Sequence, residues 1–275
     1  MNRRTPATAA ARAIGVVVLL ALTLFPFYWM LSTAVDTSPL SRGASLLPSG
    51  LTLEHFEHVL VDAGFLRYVR VSLVVALGTV VLSGAVALLA AVAVARFRFR
   101  LRTQVLVMVL MVQMVPLEAL VIPLFLQART LGMLNSLLGL TIVYLGFSLA
   151  FAIWNLRGFV AAVPRELEEA AYMDGASWWR MFRSILLPLV APGLVATSVF
   201  SFITAWNEFI FALTFMQDGS KYTVGVGLRT FFTQNTADWG SVMAASTIIA
   251  LPVVLFFVLV QRNLAKGITA GAVKG

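Results

Sequence analysis

The stretch VRVSLVVALGTVVLSGAVALLAAVAVA at residues 69–95 decides the fold class. After Arg70 it contains no charged residue. A helix needs about 20 apolar residues to cross the hydrocarbon core of a bilayer. In lipid, such an isolated span must satisfy its own backbone hydrogen bonds, as a helix does. A β-barrel strand would be about ten residues long and would alternate in polarity. The stretch therefore predicts a transmembrane α-helix.

The composition of the whole chain agrees with a membrane protein. Of its 275 residues, 60% are hydrophobic and only 12% are charged, and the mean hydropathy is +0.93. Soluble domains are about 45–50% apolar and about 25% charged, so these charges are too few to cover a water-soluble surface. The sequence has no cysteine, which excludes disulfides, Cys-ligated zinc and thiol catalysis.

Further apolar blocks of similar length follow along the chain. We predict an all-α fold, a polytopic membrane bundle of six transmembrane helices forming a single domain over residues 1–275. The first block could instead belong to a signal peptide, but it is long for that role and contains Pro26, Tyr28 and Trp29. The predicted spans are residues 14–35, 69–95, 103–127, 137–158, 189–216 and 242–261.

The positive charge is distributed as a topology signal. The net charge of +8 would by itself suggest nucleic acid, but the basic residues form short clusters between the spans, such as FRFRLR at 97–102. With a cytoplasmic N-terminus, 14 of the 20 Lys and Arg residues lie on the cytoplasmic side, so the positive-inside rule places both termini there. We expect a multi-pass protein of a bacterial-type cytoplasmic membrane, in contact with lipid and not with nucleic acid.

The longest predicted cytoplasmic connection, residues 159–188, has the pattern of two helices separated by a glycine. Pro164 and the acids after it favour the start of a helix, and Gly175 favours its end. Ser177 can cap a second helix. Pro188 and Pro192 are expected to mark the turn into the fifth span.

Two alanines, Ala170 and Ala171, would give the first of these helices a low surface that another protein could approach. On the residues alone, an ordinary amphipathic connector without a partner explains the segment equally well.

The string EAAYMDGA at 169–176, followed by ILLP at 185–188, resembles the EAA loop of permeases of binding-protein-dependent ABC importers. The resemblance covers most of the chain and is closest to the shorter, six-span permease subunit of the carbohydrate-uptake branch, of maltose, trehalose and chitobiose type. The other similar strings are IPLF (122–125), LGMLNSLLGL (131–140), IWNLRGF (153–159), WNEF (206–209) and GITAGAVKG (267–275).

The resemblance implies a transport subunit and not an enzyme. It implies import of a sugar, a di- or oligosaccharide, together with a second homologous permease, two ATPase subunits and an extracytoplasmic sugar-binding protein or lipoprotein. ATP and Mg would bind to the ATPase and no cofactor to this chain, which has no GxxxxGK[ST] phosphate loop. The residues expected to form the coupling helix that docks on the ATPase are Glu169, Ala170, Ala171, Asp174, Gly175 and Ala176.

A few polar residues within the predicted spans are candidates for the substrate pathway. An acid at membrane depth is costly unless it is paired or wetted, which singles out Glu118 and Glu208. Trp206, Asn207 and Glu208 offer the aromatic face, amide and carboxylate typical of sugar sites, although consecutive helical residues point about 100° apart. Gln113 is a further candidate. Alternatively, Asn207 and Glu208 hydrogen-bond to a neighbouring helix or to the partner permease.

Other classes of function are weaker. An ion-coupled secondary transporter would use Glu118 and Glu208 as proton relays but would leave the EAA-like string without a role. A membrane enzyme is disfavoured because the chain has no cysteine, no histidine within a predicted span and no metal motif. His55 and His58 have the spacing of a metal pair, but we interpret them as part of a solvated amphipathic helix. We predict no catalytic and no metal-binding residue.

Overall fold

The computed structural model of the protein describes the backbone of residues 6–41, 43, 45–232 and 237–272. Side chains are described over the same residues except 6–11 and 262–272. The GITAGAVKG string at 267–275 therefore lies outside the described side chains. So do six basic residues of the charge count, Arg3, Arg4, Arg42, Arg262, Lys266 and Lys274.

Helices form the regular structure of the described residues, which contain no strand and only two isolated bridges, Asp36 with Leu51 and Phe232 with Ala237. The fold class predicted from the sequence is thus confirmed. The helices are α1 (Pro6–Ala34), α2 (Glu54–Glu57), α3 (Leu66–Arg96), α4 (Arg102–Gln113), α5 (Val121–Thr130), α6 (Leu137–Ala162), α7 (Arg165–Met173), α8 (Trp178–Met181), α9 (Leu187–Asn207), α10 (Ile210–Phe215), α11 (Val224–Leu228) and α12 (Trp239–Ala272).

Within the described ranges, five helices are long and apolar enough to cross a membrane, and a sixth span results if one bent helix pair is counted. A polytopic membrane protein is therefore confirmed. The five helices are Arg12–Ala34, Leu66–Arg96, Leu137–Ala162, Trp178–Asn207 and Trp239–Gln261, and the bent pair is Arg102–Gln113 with Leu117–Thr130.

The third span differs from the straight helix predicted over residues 103–127. Helix α4 ends at Gln113, and the chain bends by 94° before the segment Leu117–Thr130. Pro116 lies at the bend with an extended backbone, φ −60° and ψ 124°. Proline has no N–H to donate and disfavours helical geometry in the residue before it, so the helix ends ahead of it.

The fifth span begins earlier than the predicted residue 189, and its helix is interrupted after Asn207, before the predicted end at residue 216. Its helix runs from Trp178 to Asn207 through one wide turn at Phe182–Leu186. Pro188 and Pro192 lie inside this helix and mark no turn, contrary to the prediction. In that wide turn the N–H of Leu187 bonds five residues back, to Phe182. A local adjustment of this kind lets a membrane helix tolerate a proline.

By its internal contacts the chain divides into two compact units, Met1–Leu66 with Leu228–Leu251, and Arg67–Gly227 with Pro252–Gly275. In the first unit, the Phe65 and Phe231 rings lie 5.8 Å apart. The His55 ring occupies the space where Gly240 has no Cβ. A larger side chain at 240 would displace this ring.

The second unit contains α3, α6, α7 and α9 around a common apolar core. A buried cluster joins the Arg96 end of α3, the Ala162 end of α6 and the helix from Trp178. Its buried members are Ala87, Leu88, Ala91, Val92, Ala95, Ala152, Leu156, Val160, Val163, Ala171, Met181, Phe182, Leu186 and Val190.

Small residues let the helices of the second unit approach one another. Ser83 on α3 donates a hydrogen bond to Ser201 on α9 at 3.1 Å, and both residues are buried. At Gly193, an added Cβ would lie 2.4 Å from the Phe159 ring. The small residues of these spans therefore serve close helix packing.

Candidate functional site

The segment predicted to couple to an ATPase, residues 159–188, is built as a short helix on a helical base. Helix α6 ends at Ala162, and Pro164 precedes the first residue of α7 with an extended backbone, ψ 135°. Proline is well suited to this position because the N–H groups of a first turn have no partner within the helix. Glu166 and Glu168 lie in the first turn, where the helix dipole favours acids.

The glycine predicted to end this helix does so. Gly175 has φ +77°, and its N–H donates to the Tyr172 carbonyl at 3.0 Å while the Ala176 N–H donates to the Ala171 carbonyl at 2.9 Å. These two bonds form a Schellman motif, which needs a left-handed residue and therefore favours glycine. Ser177 then caps the next helix and accepts a bond from the Arg180 N–H at 3.4 Å.

The predicted coupling residues divide between two faces of α7. Glu169, Ala170, Asp174 and Gly175 are exposed, whereas Ala171 is 6% exposed and belongs to the apolar core. The low surface expected from both alanines is therefore offered by Ala170 alone, because the helical rotation turns Ala171 inward. Ala176 is half-buried against the same core.

The inward face of α7 also contains a buried acid that the sequence interpretation did not single out. Glu168 is 9% exposed, and its Oε1 lies 2.6 Å from Nε of Arg96 at the end of α3. In the sequence Arg96 appears only as part of a basic cluster, where it reads as a topology signal. Its neighbours Arg98 and Arg100 are exposed. The sequence pattern is the same for all three arginines, and it gives no sign that only Arg96 among them is buried in an ion pair.

Trp206, predicted in the substrate pathway, is a packing residue in this structure. It is 3% exposed and stacks on Phe202 with ring centroids 5.5 Å apart. Phe202 in turn stacks on Phe256 of α12 at 4.1 Å. The indole N–H of Trp206 is buried with no acceptor among the described residues. Asn207, the last residue of α9, is exposed.

Glu208 lies at the break between α9 and α10, and its carboxylate accepts hydrogen bonds from the groups around it. Its Oε1 accepts from the Phe211 N–H at 2.9 Å, and its Oε2 from the Ala212 N–H at 3.1 Å. The Tyr144 hydroxyl on α6 donates to Oε2 at 2.6 Å. The carboxylate thus binds the free N–H groups that begin α10. The bond from Tyr144 matches the alternative stated above for Glu208, a hydrogen bond to a neighbouring helix.

Glu118 and Gln113 lie on either side of the bend in the third span. Gln113 is the last residue of α4, Glu118 is in the short turn after Pro116, and both side chains are exposed. Over the described residues, no hydrogen bond or ion pair joins them to one another or to Glu208. The structure therefore does not join Gln113 or Glu118 to Glu208 by a direct bond, and their place in a sugar pathway stays a prediction.

The two histidines lie in the first unit and contact nearby acidic or backbone oxygen atoms, including Oδ1 of Asp238, which is 4.0 Å from Nδ1 of His55. His55 Nε2 is 3.0 Å from the Asp36 carbonyl oxygen, and His58 Nδ1 is 3.1 Å from Oδ2 of Asp62. In the part of the chain that the structure describes, no three His, Cys, Asp or Glu side chains converge as metal ligands.

Comparisons with known proteins place this geometry in context. Residues 83–270 match the family described as binding-protein-dependent transport system inner membrane component. The diacetylchitobiose uptake system permease protein DasC of Streptomyces coelicolor is 42% identical over 264 residues, which cover 95% of this chain and 96% of the relative. The trehalose/maltose transport system permease protein MalG of Thermococcus litoralis is 37% identical over 265 residues, 95% of each chain.

A solved structure shares the fold at low sequence identity. It is that of a bacterial ABC transporter involved in the import of the acidic polysaccharide alginate. The TM-score is 0.80 at 22% identity, over 95% of this chain and 99% of that chain. This likeness extends the fold assignment to nearly the whole chain.

Proposed function

The chain belongs to the family of inner membrane components of binding-protein-dependent transport systems, and on this premise we propose that it is a permease subunit of an ATP-driven importer of a di- or oligosaccharide. The family consists of transport components, so the function is transport and not catalysis. The relatives named for diacetylchitobiose and for trehalose/maltose support the sugar class.

One structural observation carries the proposal for energy coupling. The segment Glu169–Ala170 and the turn Asp174–Gly175 are exposed on a helix whose opposite face is buried in the core of α3, α6 and α9. Met173, beside the turn, is 88% exposed. These exposed apolar and acidic residues, 169–170 and 173–175, form what we call the exposed rim of α7. A helix that is packed rigidly on one face and has such a rim on the other suits docking to another protein.

The partner on this face is proposed to be a cytoplasmic ATPase that binds ATP and Mg, which puts residues 159–188 on the cytoplasmic side. Both termini are then on the same side, because an even number of spans separates each terminus from this segment. The complete transporter then contains a second homologous permease, two ATPase subunits and an external sugar-binding protein or lipoprotein. The exposed Gln113, Glu118 and Asn207 remain candidates for the sugar pathway. Trp206 and Glu208 are not among these candidates, because Trp206 is buried against Phe202 and Glu208 is bonded within the chain.

The ion-coupled alternative is not supported. Family membership favours the ATP-driven transporter. One of the two proposed relay acids, Glu208, also accepts three hydrogen bonds within its own chain.

Reconstitution tests the transport proposal. The chain, its partner permease, the ATPase and the binding protein are placed in proteoliposomes, and uptake of radiolabelled diacetylchitobiose, trehalose and maltose is measured with internal ATP. We expect ATP-dependent uptake of at least one sugar, abolished when the phosphate-loop lysine of the ATPase is replaced by alanine. Uptake driven by an ion gradient without the ATPase would overturn the proposal.

Cross-linking tests the docking face, and the absence of cysteine from the chain gives a clean background. A cysteine at Ala170 is expected to cross-link to a cysteine on the ATPase, because Ala170 is exposed. The matched control is a cysteine at the next residue, Ala171, which is buried and is expected to react poorly. Equal cross-linking at both positions, or at neither, would contradict this orientation of α7.

A further inference from the structure

A buried ion pair ties the proposed coupling helix to a membrane-spanning helix. Arg96 Nε and Glu168 Oε1 are 2.6 Å apart, and the two side chains are only 10% and 12% exposed. Both residues have favourable places on their helices. Arg96 lies in the last turn of α3 and Glu168 in the first turn of α7, where helix dipoles favour a cation and an anion respectively.

The same arginine also holds the end of a third helix. Arg96 Nη2 donates to the Val163 carbonyl at 2.8 Å, and Val163 is the residue that caps the C-terminus of α6. The last carbonyls of a helix have no partner within it. One guanidinium, with several donors in a fixed plane, therefore joins the ends of α3 and α6 to the start of α7.

Apolar packing closes the space around this junction. Val163 and Ala171, from the two sides of Glu168, belong to the same buried cluster as Val92 and Ala95 of α3. An ion pair in such surroundings is costly to break, because separating it leaves each charge uncompensated. The junction is thus stiff at Arg96, whereas the other end of α7 terminates in the glycine turn at Gly175.

We infer that Arg96 is a positioning residue for energy coupling, which makes α7 move together with α3 and α6 when a partner displaces it. The inference rests on the proposed function, since it assigns the path by which a force applied at the exposed rim of α7 reaches the membrane helices. Packed side chains, salt bridges and rigid helices that link two sites can carry a displacement from one to the other. Without the junction, α7 would tilt on its seat and ATP would be hydrolysed without transport.

The first experiment measures the number of ATP molecules hydrolysed per sugar imported in the proteoliposomes described above. Glu168→Gln and Arg96→Gln are expected to raise this ratio by about fivefold or more, the lower end of typical coupling between distant sites. Arg96→Lys, which keeps the charge but not the planar set of donors, is expected to give an intermediate ratio. Arg98→Gln is the matched control, because Arg98 belongs to the same cluster but is exposed.

The ratio separates positioning from simple stability, since fewer folded transporters would lower uptake and hydrolysis together. If Glu168→Gln and Arg96→Gln lowered both rates in proportion and kept the wild-type ratio, the inference would be overturned.

A second measurement decides the inference even if the wild type showed no ATP-driven uptake, which would refute the proposed function instead. Spin labels are attached to cysteines at Leu89 on α3 and Glu166 on α7, both exposed, in the full-length chain in nanodiscs. The wild-type background and Arg98→Gln are expected to give one narrow distance distribution, and Glu168→Gln a broad one. A distribution as narrow in Glu168→Gln as in the wild type would contradict a clamping role for the pair.

Discussion

Helices end beside acids at Gly175 and at Glu208, and these two breaks are used differently. At Gly175, the backbone closes the end of α7 with its own hydrogen bonds, which leaves Glu169 and Asp174 exposed beside the turn. At Glu208, the carboxylate itself supplies the bonds, to two backbone N–H groups and to Tyr144. The first break leaves its acidic side chains exposed and available to the proposed partner, whereas the side chain at the second break is bonded within the chain.

The difference shows why an acid in an apolar helix is an ambiguous signal. A buried or half-buried carboxylate must find donors, and these are provided either by a ligand or by the protein itself. At the start of α10 the free N–H groups lie within reach of Glu208, so the protein provides them. Glu168 represents a third case, in which the carboxylate forms an ion pair with the cation of Arg96.

The largest expected effect comes from replacing the glycine of the first break. Gly175→Pro is incompatible with φ +77° and removes the N–H bonded to Tyr172, at a local cost of about 3 kcal/mol or more. Sugar uptake is expected to be lost while the protein still inserts in the membrane. Both are measured on the same vesicles, by uptake and by the amount of extracted protein.

Gly132 provides the matched control for this substitution. It ends α5 with φ +66°, and the bonds from Gly132 to Arg129 and from Met133 to Ala128 repeat the motif of Gly175. Gly132→Pro has a similar backbone cost but lies outside residues 159–188, the proposed coupling segment. If both variants lost uptake to the same extent per folded protein, the loss at Gly175 would reflect misfolding and not failed coupling.

An intermediate effect is expected at the second break. Glu208→Gln weakens two charge-assisted bonds to the start of α10, and bonds of this kind contribute about 1.5–3 kcal/mol each. Tyr144→Phe removes the third donor. Both variants should lower the midpoint of unfolding in detergent, and the double variant should show a coupling energy of about 0.5–3 kcal/mol.

The sugar KM distinguishes the two roles of Glu208. If the carboxylate only positions α10, the KM changes little in Glu208→Gln and in Tyr144→Phe. A tenfold higher KM in Glu208→Gln, with a normal KM in Tyr144→Phe, would show direct contact with the sugar. The side chain at the second break would then contact another molecule, as is proposed for the first.

The smallest effect is expected at Trp206. Trp206→Phe keeps a ring to stack on Phe202 and removes an N–H that has no acceptor among the described residues. The loss of stability should be about 0.5–3 kcal/mol, the range of most single substitutions, with a wild-type KM. Trp206→Ala, the control for lost packing, should cost about 3–5 kcal/mol. A raised KM in Trp206→Phe would return this residue to the sugar pathway.

The helices and turns of the proposed coupling segment were predictable because their signals are local. Pro164, Gly175 and Ser177 each fix a backbone conformation or a cap that depends on a few adjacent residues, and all three are found at helix boundaries. The bend at Pro116 was also within reach of such reasoning, since proline ends a helix. The long apolar run on both sides of it favoured one uninterrupted span instead.

The sequence by itself determined that this chain is a set of membrane helices with an EAA-like segment between the fourth and fifth spans, because hydropathy, helix caps and short motifs are properties of neighbouring residues. Only the tertiary structure decided which residues do what. In the folded chain Ala171 faces inward and Ala170 outward, and Glu208 accepts hydrogen bonds from nearby backbone N–H groups. Of several similar arginines in one cluster, Arg96 is the partner of Glu168. Each of these outcomes depends on which atoms lie nearby in space, and that information is spread over residues far apart in the chain.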